Sequence, residues 1–88
     1  MPTISFFHGI RIKMNTAERS QHNLPHIHAF CGDDEAVVGF DGKLIRGFIP
    51  SNKMKLLKSW IKIHLDELKA NWIFIMDGEP VYKIQPLD

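Results

Sequence analysis

Three of the five histidines lie close together, at His22, His26 and His28. Side chains two residues apart on a strand point to the same face, so a strand here would present His26 and His28 side by side. Two adjacent imidazoles can bind a metal ion or a phosphate, or transfer protons near neutral pH. This segment is therefore the main candidate for a functional site.

Histidine beside arginine can cleave a phosphodiester without a metal. Imidazole acts as general acid or base, and guanidinium stabilises the charge that develops on the phosphate. The expected strand pairing places Arg46 on the face of His28, and places Asp41 opposite His26, where a carboxylate would fix the tautomer. The candidate catalytic residues are therefore His26, His28, Arg46 and Asp41. Acyl transfer is disfavoured, because no serine or cysteine lies convincingly beside a histidine.

A metal site would draw on His22, His26 and His28, with His64 as a further donor. Structural zinc sites usually have four ligands with cysteines in pairs. Cys31 is the only cysteine, and it is expected on the opposite face of the sheet. We therefore predict neither a metal nor another cofactor. A further interpretation is that the histidines are structural, or contact a protein partner.

A stripe of lysines lies on the expected helical segment, at Lys55, Lys58, Lys62 and Lys69. Such a stripe can follow a nucleic-acid backbone, and Lys55, Lys58 and Lys62 are the candidate nucleic-acid-binding residues. The alternative is that the stripe is only the solvent-exposed side of an amphipathic helix. Because the formal net charge is only +1, nucleic-acid binding would have to come from a local patch.

The first half of the chain predicts an antiparallel meander of about four strands, at residues 3–14, 26–31, 36–40 and 43–49. Gly9 would mark a bulge in the first strand. Asp41-Gly42 predicts a two-residue hairpin turn, which pairs Val38 with Ile45 and Ala36 with Gly47. A second such turn at Asp33-Asp34 would place His28 opposite Gly39.

This register divides the side chains between two faces. The face expected to join the core carries Ile27, Ala29, Cys31, Val38, Phe40 and Ile45. The mixed surface carries His26, His28, Phe30, Val37, Leu44 and Arg46.

The second half predicts an amphipathic helical segment that packs on one face of the sheet. Its apolar stripe is formed by Leu57, Ile61, Leu65, Leu68, Trp72 and Ile75. An unbroken helix over residues 53–76 would be about 36 Å long, longer than a small domain is wide, so we predict a bend or break at residues 63–66. Ser51 or Asn52 is the expected N-cap, and Asp77-Gly78 the expected stop. The tail at residues 81–84 would add an edge strand.

Composition fits one α+β domain over residues 1–88, with a meander at 3–49, a helical segment at 51–77 and a tail at 78–88. Apolar residues at 44% and charged residues at 24% are ordinary globular values. The single cysteine excludes an internal disulfide and suits the reducing cytoplasm. No window approaches the roughly 20 apolar residues of a membrane span, and the first residues do not form a signal peptide.

Over nearly its full length the sequence resembles a family of short bacterial proteins known as domain of unknown function 4160. The resemblance rests on residues 1–10, the histidine segment, Trp60, His64, Asn71-Trp72, residues 77–80 and residues 84–87. Members typically read His-Asn-Pro-Pro-His-x-His, and here Leu24 replaces the first proline. Such proteins are often encoded beside a second small protein, in what looks like a toxin–antitoxin operon with this domain as the toxin.

The leading hypothesis is a toxin-like component of such a module that acts on nucleic acid through a His/Arg face, as a metal-independent nuclease. Its expected partners are a cognate small antitoxin-like protein, nucleic acid and further copies of itself, but no membrane. The alternative is a non-enzymatic protein-interaction or regulatory module with structural histidines. A metal-binding protein is the third hypothesis.

Overall fold

In the described part of the chain, five antiparallel strands and two helices form an α+β fold, as predicted, with one strand more than expected. The computed structural model describes residues 3–14 and 24–88. The strands are β1 (Thr3–Phe7), β2 (Ile10–Lys13), β3 (His26–Cys31), β4 (Asp34–Gly39) and β5 (Leu44–Gly47), and the helices are α1 (Ser51–Ile63) and α2 (Leu65–Met76). The strands lie in the order β1-β2-β3-β4-β5. Neither helix in the described part of the chain is long and apolar enough to cross a bilayer.

The additional strand arises at Gly9, where we expected only a bulge. His8 and Gly9 both have positive φ, at 49° and 79°, and Phe7 pairs with Ile10. Two successive positive φ angles form the tight turn that matches the twist of a hairpin. Residues 3–14 are therefore two strands joined by a two-residue turn.

The turn between β3 and β4 lies one residue earlier than predicted. Cys31 pairs with Asp34, so Gly32 and Asp33 form the turn, with Gly32 at a φ of 60°. His28 consequently pairs with Val37, and His26 with Gly39. The predicted partners, Gly39 for His28 and Asp41 for His26, are wrong. The error shifts the register by two positions, so the division of side chains between the two faces is preserved.

The connection from β4 to β5 is longer than the predicted two-residue turn. Ala36 pairs with Gly47 as predicted, but an irregularity between Val37 and Val38 pairs Val38 with Leu44 instead of Ile45. Ile45 was expected in the core and is 46% exposed. The irregularity explains this difference, because it removes Ile45 from its place in the ladder.

Gly47 ends β5 with a sharp change of direction. Its φ is 85°, and a Cβ atom at this position would lie 2.2 Å from the carbonyl oxygen of Glu35. The next amide, that of Phe48, donates a hydrogen bond of 2.8 Å to the same oxygen. The chain then reaches α1, whose N-cap is Pro50 without a side-chain cap bond, so the prediction of Ser51 or Asn52 as the cap is wrong.

The helical segment breaks at His64, inside the predicted interval. The two helices cover one face of the sheet and bury Leu57, Trp60, Ile61, Leu68 and Ile75 against it. The sheet contributes Ile10, Ile12, Ile27, Ala29, Ala36 and Val38 to the same cluster. The helix stops at Asp77-Gly78 as predicted, with Gly78 at a φ of 77° and the amide of Glu79 bonded to the carbonyl of Phe74.

The C-terminal tail lies beside β1 but is not a strand, contrary to the prediction. Its one backbone bond to β1 joins the amide of Ile84 to the carbonyl of Ile4, at 2.8 Å. Side chains of the helices and of the β1–β2 turn also hold the tail, and the Nε2 atom of His8 bonds the carbonyl of Asp88 at 2.9 Å. Asn71 donates to and accepts from the backbone of Tyr82, at 2.7 and 3.0 Å, and the indole of Trp60 donates to the carbonyl of Gln85 at 2.9 Å.

Candidate functional site

The sheet face that turns away from the core carries two rows of polar and aromatic side chains. Residues paired across neighbouring strands share a face, and positions two apart along a strand return to it. The first row is Phe6, Arg11, Phe30 and Glu35, and the second is Lys13, His28, Val37 and Arg46. We call these eight residues the outer face. They include His28, Phe30, Val37 and Arg46, which the sequence placed together on this surface.

Aromatic rings and cations alternate on the outer face. The guanidinium of Arg11 lies over the ring of Phe6, 5.1 Å from its centroid, and the ammonium of Lys13 lies 5.4 Å from the centroid of Phe30. Phe6 is 55% exposed, Phe30 is half-buried and Arg46 is exposed. Exposed rings can stack with nucleic-acid bases, and the neighbouring cations can neutralise phosphates.

The two imidazoles of the histidine motif lie together, as the spacing predicts. The ring centroids of His26 and His28 are 5.3 Å apart. The Nδ1 atom of His26 donates to the carbonyl of Leu24 at 2.7 Å, and that of His28 donates to the carboxylate of Glu35 at 3.2 Å. Because carbonyl and carboxylate oxygens only accept, each ring donates through its Nδ1 atom in these two bonds.

Both imidazoles are buried, although their side chains belong to the outer surface of the sheet. His26 is 8% exposed and His28 3%, and the Nε2 atom of His28 lies below the surface. The ring of His26 packs against Trp72 of α2, with centroids 5.2 Å apart, and Trp72 contacts Phe40. This environment resembles a packed aromatic cluster more than an open catalytic cleft.

Glu35 is a hydrogen-bond partner of His28 that the sequence analysis missed. The error followed from the assumed turn at Asp33-Asp34, which placed Glu35 next to the turn. With Gly32-Asp33 as the turn, Glu35 pairs with Phe30, diagonal to His28 on the same face. A Gly-Asp dipeptide between two apolar runs is itself a two-residue hairpin signal, and it would have identified the contact.

The other predicted catalytic residues do not contact the imidazoles. Arg46 lies in the row of His28 but two strands away, with Val37 between them, so their Cα atoms are about 10 Å apart from the strand spacing. Asp41 lies in the loop after β4, where its Oδ1 atom accepts a hydrogen bond from the amide of Lys43 at 2.9 Å. The Nδ1 proton of His26, which Asp41 was expected to hold, is bound by the carbonyl of Leu24.

The residues considered for a metal do not assemble within the described chain. His22 lies outside the described residues. His64 separates the two helices, and its Nδ1 atom donates to Glu67 at 2.6 Å. Within residues 3–14 and 24–88, no three histidine, cysteine or acidic side chains are grouped so as to hold a metal ion.

The predicted nucleic-acid-binding lysines belong to a different surface. Lys55, Lys58 and Lys62 are exposed on α1, in the layer of helices. They do not extend the outer face, so the two cationic surfaces must be tested separately.

The chain matches one family model, but it matches no curated protein and no solved structure. The family model, described as Domain of unknown function (DUF4160), matches residues 9–73. The matched segment contains β2 to β5, both motif histidines and α1, whereas β1 and the C-terminal tail lie outside it.

Proposed function

This chain belongs to the family described as Domain of unknown function (DUF4160), and we propose that it binds single-stranded nucleic acid on the outer face of its sheet. In this proposal it is the toxin-like component of a toxin–antitoxin-type gene pair. The observation that carries the proposal is the alternation of rings and cations across β1, β2 and β3.

Stacking supplies the first part of the binding energy. A β-sheet spaces neighbouring side chains so that a splayed single strand can place its bases on successive rings. Phe6 and Phe30 lie in one row, separated by Arg11. Each stacked base contributes about 1–3 kcal/mol, so loss of one ring should weaken binding about 5- to 150-fold.

Electrostatic attraction to the phosphates supplies the second part of the binding energy. The outer face carries the cations Arg11, Lys13 and Arg46 and a single carboxylate, Glu35, which is engaged by His28. Three neutralised phosphates of a single strand correspond to a slope of about −2 in log K against log salt concentration. The chain can therefore bind nucleic acid despite its formal net charge of +1.

Binding is supported better than cleavage. Glu35 and His28 form an acid–imidazole pair that could act as a general base, with Arg46 stabilising the phosphate. The burial of both imidazoles argues against direct access of a phosphodiester. Cleavage is therefore a separate question, which the same samples can answer.

The binding experiment is fluorescence anisotropy with labelled single-stranded RNA and DNA oligonucleotides, and with a duplex for comparison. Phe30→Ala should weaken binding about 5- to 150-fold. Phe74→Ala makes the same change at a half-buried ring of α2 and should leave affinity unchanged. Arg46→Gln should reduce the salt slope by about 0.7, and the exposed Lys69→Gln should not. Equal effects of Phe30→Ala and Phe74→Ala, or no binding by the native chain, would contradict the proposal.

Cleavage is tested by product analysis of the same RNA and by growth on expression of the chain alone. If the chain is a nuclease, His28→Gln and Glu35→Gln abolish product formation and growth inhibition while binding persists. If the native chain yields no products and expression is harmless, the catalytic hypothesis fails and the binding proposal still stands on the anisotropy data.

Protein binding is the second candidate function, and the exposure of β5 favours it. All four residues of β5 are exposed, it is an edge strand, and Leu44 and Ile45 are 49% and 46% exposed. A hollow of about 430 Å³ adjoins it, lined mainly by apolar residues: Leu44, Phe48, Ile49, Ser51, Met54, Lys55 and Lys58. An exposed apolar edge strand is a site where a second protein can add a strand.

The partner to test is the product of the neighbouring gene, co-expressed and measured by titration calorimetry and by light scattering of the purified complex. Ile45→Lys should weaken the complex at least about tenfold. Ile73→Lys changes an equally apolar exposed residue on α2 and should not. A complex that tolerates Ile45→Lys excludes β5 as its interface, and a dimer of the chain alone that Ile45→Lys dissociates would identify a second copy as the occupant.

A further inference from the structure

A cavity of about 340 Å³ lies between the β4–β5 loop and α1, away from the outer face. Its apolar wall is formed by Phe40, Ile61 and Leu65. Its polar rim is formed by Lys43, Lys58 and Lys62, together with Asp41 and the backbone of Gly42. This volume is at the lower end of the range for small-molecule sites, large enough for one compact ligand.

Three hydrogen bonds within the loop between β4 and β5 brace one wall of the cavity. The amide of Gly39 donates to the carbonyl of Lys43 at 2.9 Å, and the amide of Gly42 donates to the carbonyl of Gly39 at 2.9 Å. The amide of Lys43 donates to Asp41 at 2.9 Å. A braced loop loses little conformational entropy when a ligand binds, so ordering the loop costs little of the binding free energy.

The rim concentrates positive charge. Lys58 and Lys62 lie one helical turn apart on α1, and Lys43 faces them from the loop. Three ammonium groups oppose one carboxylate, and within the described residues no carboxylate forms an ion pair with any of the three lysines. The ammonium groups are therefore available to an anion from outside the chain.

The ring of Phe40 gives the cavity an aromatic side. Phe40 is half-buried and contacts Trp72 edge to face, with centroids 6.0 Å apart, so its orientation is fixed from behind. Ile61 and Leu65 complete an apolar surface directly below the lysines. A ligand that fits this arrangement has a planar or apolar group joined to a compact anion.

We propose that this cavity binds a nucleotide phosphomonoester, with the base against Phe40, Ile61 and Leu65 and the phosphate between Lys43, Lys58 and Lys62. The same chemistry is presented by a free mononucleotide and by the 5′-phosphate end of an oligonucleotide. The site is independent of the outer face, because it shares no residue with it.

The experiment is titration calorimetry with five probes: AMP, adenosine, inorganic phosphate, a 5′-phosphorylated oligonucleotide and the same oligonucleotide without the phosphate. If the site accepts a free mononucleotide, AMP should bind at least about tenfold tighter than adenosine or inorganic phosphate. If it accepts a strand end, the phosphorylated oligonucleotide should bind at least about tenfold tighter than the same oligonucleotide without the phosphate. Binding by both or by AMP alone identifies a mononucleotide site, and binding by the oligonucleotide alone identifies a strand-end site.

Substitutions of residues that line the cavity test whether the probes bind there. Lys62→Gln and Lys58→Gln should each weaken it about tenfold, and Lys69→Gln, also on an exposed helical lysine, should leave it unchanged. Phe40→Leu should weaken AMP but not inorganic phosphate, and urea unfolding of each variant verifies that the fold is retained. The inference is overturned if none of the probes binds, or if Lys69→Gln weakens binding as much as Lys62→Gln. Phe30→Ala should not affect AMP, so this site and the outer face can fail separately.

Discussion

Substitution of Gly47 by alanine should destabilise the fold more than the same change at Gly78, by about 1 kcal/mol. Both residues have positive φ, at 85° and 77°. A Cβ at Gly78 would meet nothing within 4 Å, whereas a Cβ at Gly47 would lie 2.2 Å from the carbonyl oxygen of Glu35. The pair therefore separates the cost of a left-handed backbone from the cost of a steric overlap.

The left-handed conformation alone costs about 1–2 kcal/mol, which is the expected loss for Gly78→Ala. At Gly47 the overlap is with backbone, so the end of β5 must move away from β4. That movement breaks the 2.8 Å hydrogen bond from Phe48 to Glu35, which contributes about 1 kcal/mol. A total of about 2–3 kcal/mol is a large part of the roughly 4–13 kcal/mol expected for a chain of this length.

Equilibrium unfolding in urea, followed by tryptophan fluorescence, measures both variants. These losses correspond to a melting temperature lower by about 8–24 °C for Gly47→Ala, against about 4–16 °C for Gly78→Ala. If the two variants lose equal free energy of unfolding within about 0.5 kcal/mol, the close approach of β4 and β5 at this position is wrong.

Three further substitutions test the packing of the tail and the exposure of β5. Asn71→Ala removes two hydrogen bonds to the tail, so the free energy of unfolding in urea should fall by about 2 kcal/mol and the Tyr82 amide should exchange faster. Its control is Asn52→Ala, at an exposed residue in the first turn of α1, which should lower the free energy of unfolding by less than about 0.5 kcal/mol. Trp60→Phe removes the indole that donates to the tail and leaves a void, so thermal unfolding should show a loss of about 1.5–3 kcal/mol. Ile45→Lys should leave the free energy of unfolding within about 0.5 kcal/mol of the native value, and a larger loss would mean that β5 is packed in solution.

The helical half could be predicted in detail because its signals are local. The break at His64 follows from the length of the apolar stripe compared with the width of a small domain, and the stop at Gly78 follows from a residue that tolerates positive φ. Trp60 was not assigned to the buried stripe, although it is fully buried. It lies next to Ile61, and the apolar surface of α1 is wider than a single line of residues.

The sheet was harder to predict because its register depends on which residues occupy the turns. Displacing one turn from Asp33-Asp34 to Gly32-Asp33 changed every partner between β3 and β4 and hid the contact of Glu35 with His28. The hairpin at His8-Gly9 was missed because positive φ is uncommon for any residue other than glycine, and His8 adopts it here. The pairing of the two imidazoles was nevertheless correct, since it requires only their two-residue spacing on one strand.

The position of the C-terminal tail has a consequence for the order of events on the ribosome. The residue that bonds the outer edge of β1, Ile84, emerges 77 positions after Phe7, the last residue of that strand. At about 5–20 residues per second, the outer edge of β1 lacks this contact for roughly 4–15 s in each round of translation. Until then β1 is an unpaired sheet edge, in addition to the exposed strand β5, and an unpaired edge is a site where another chain can add a strand.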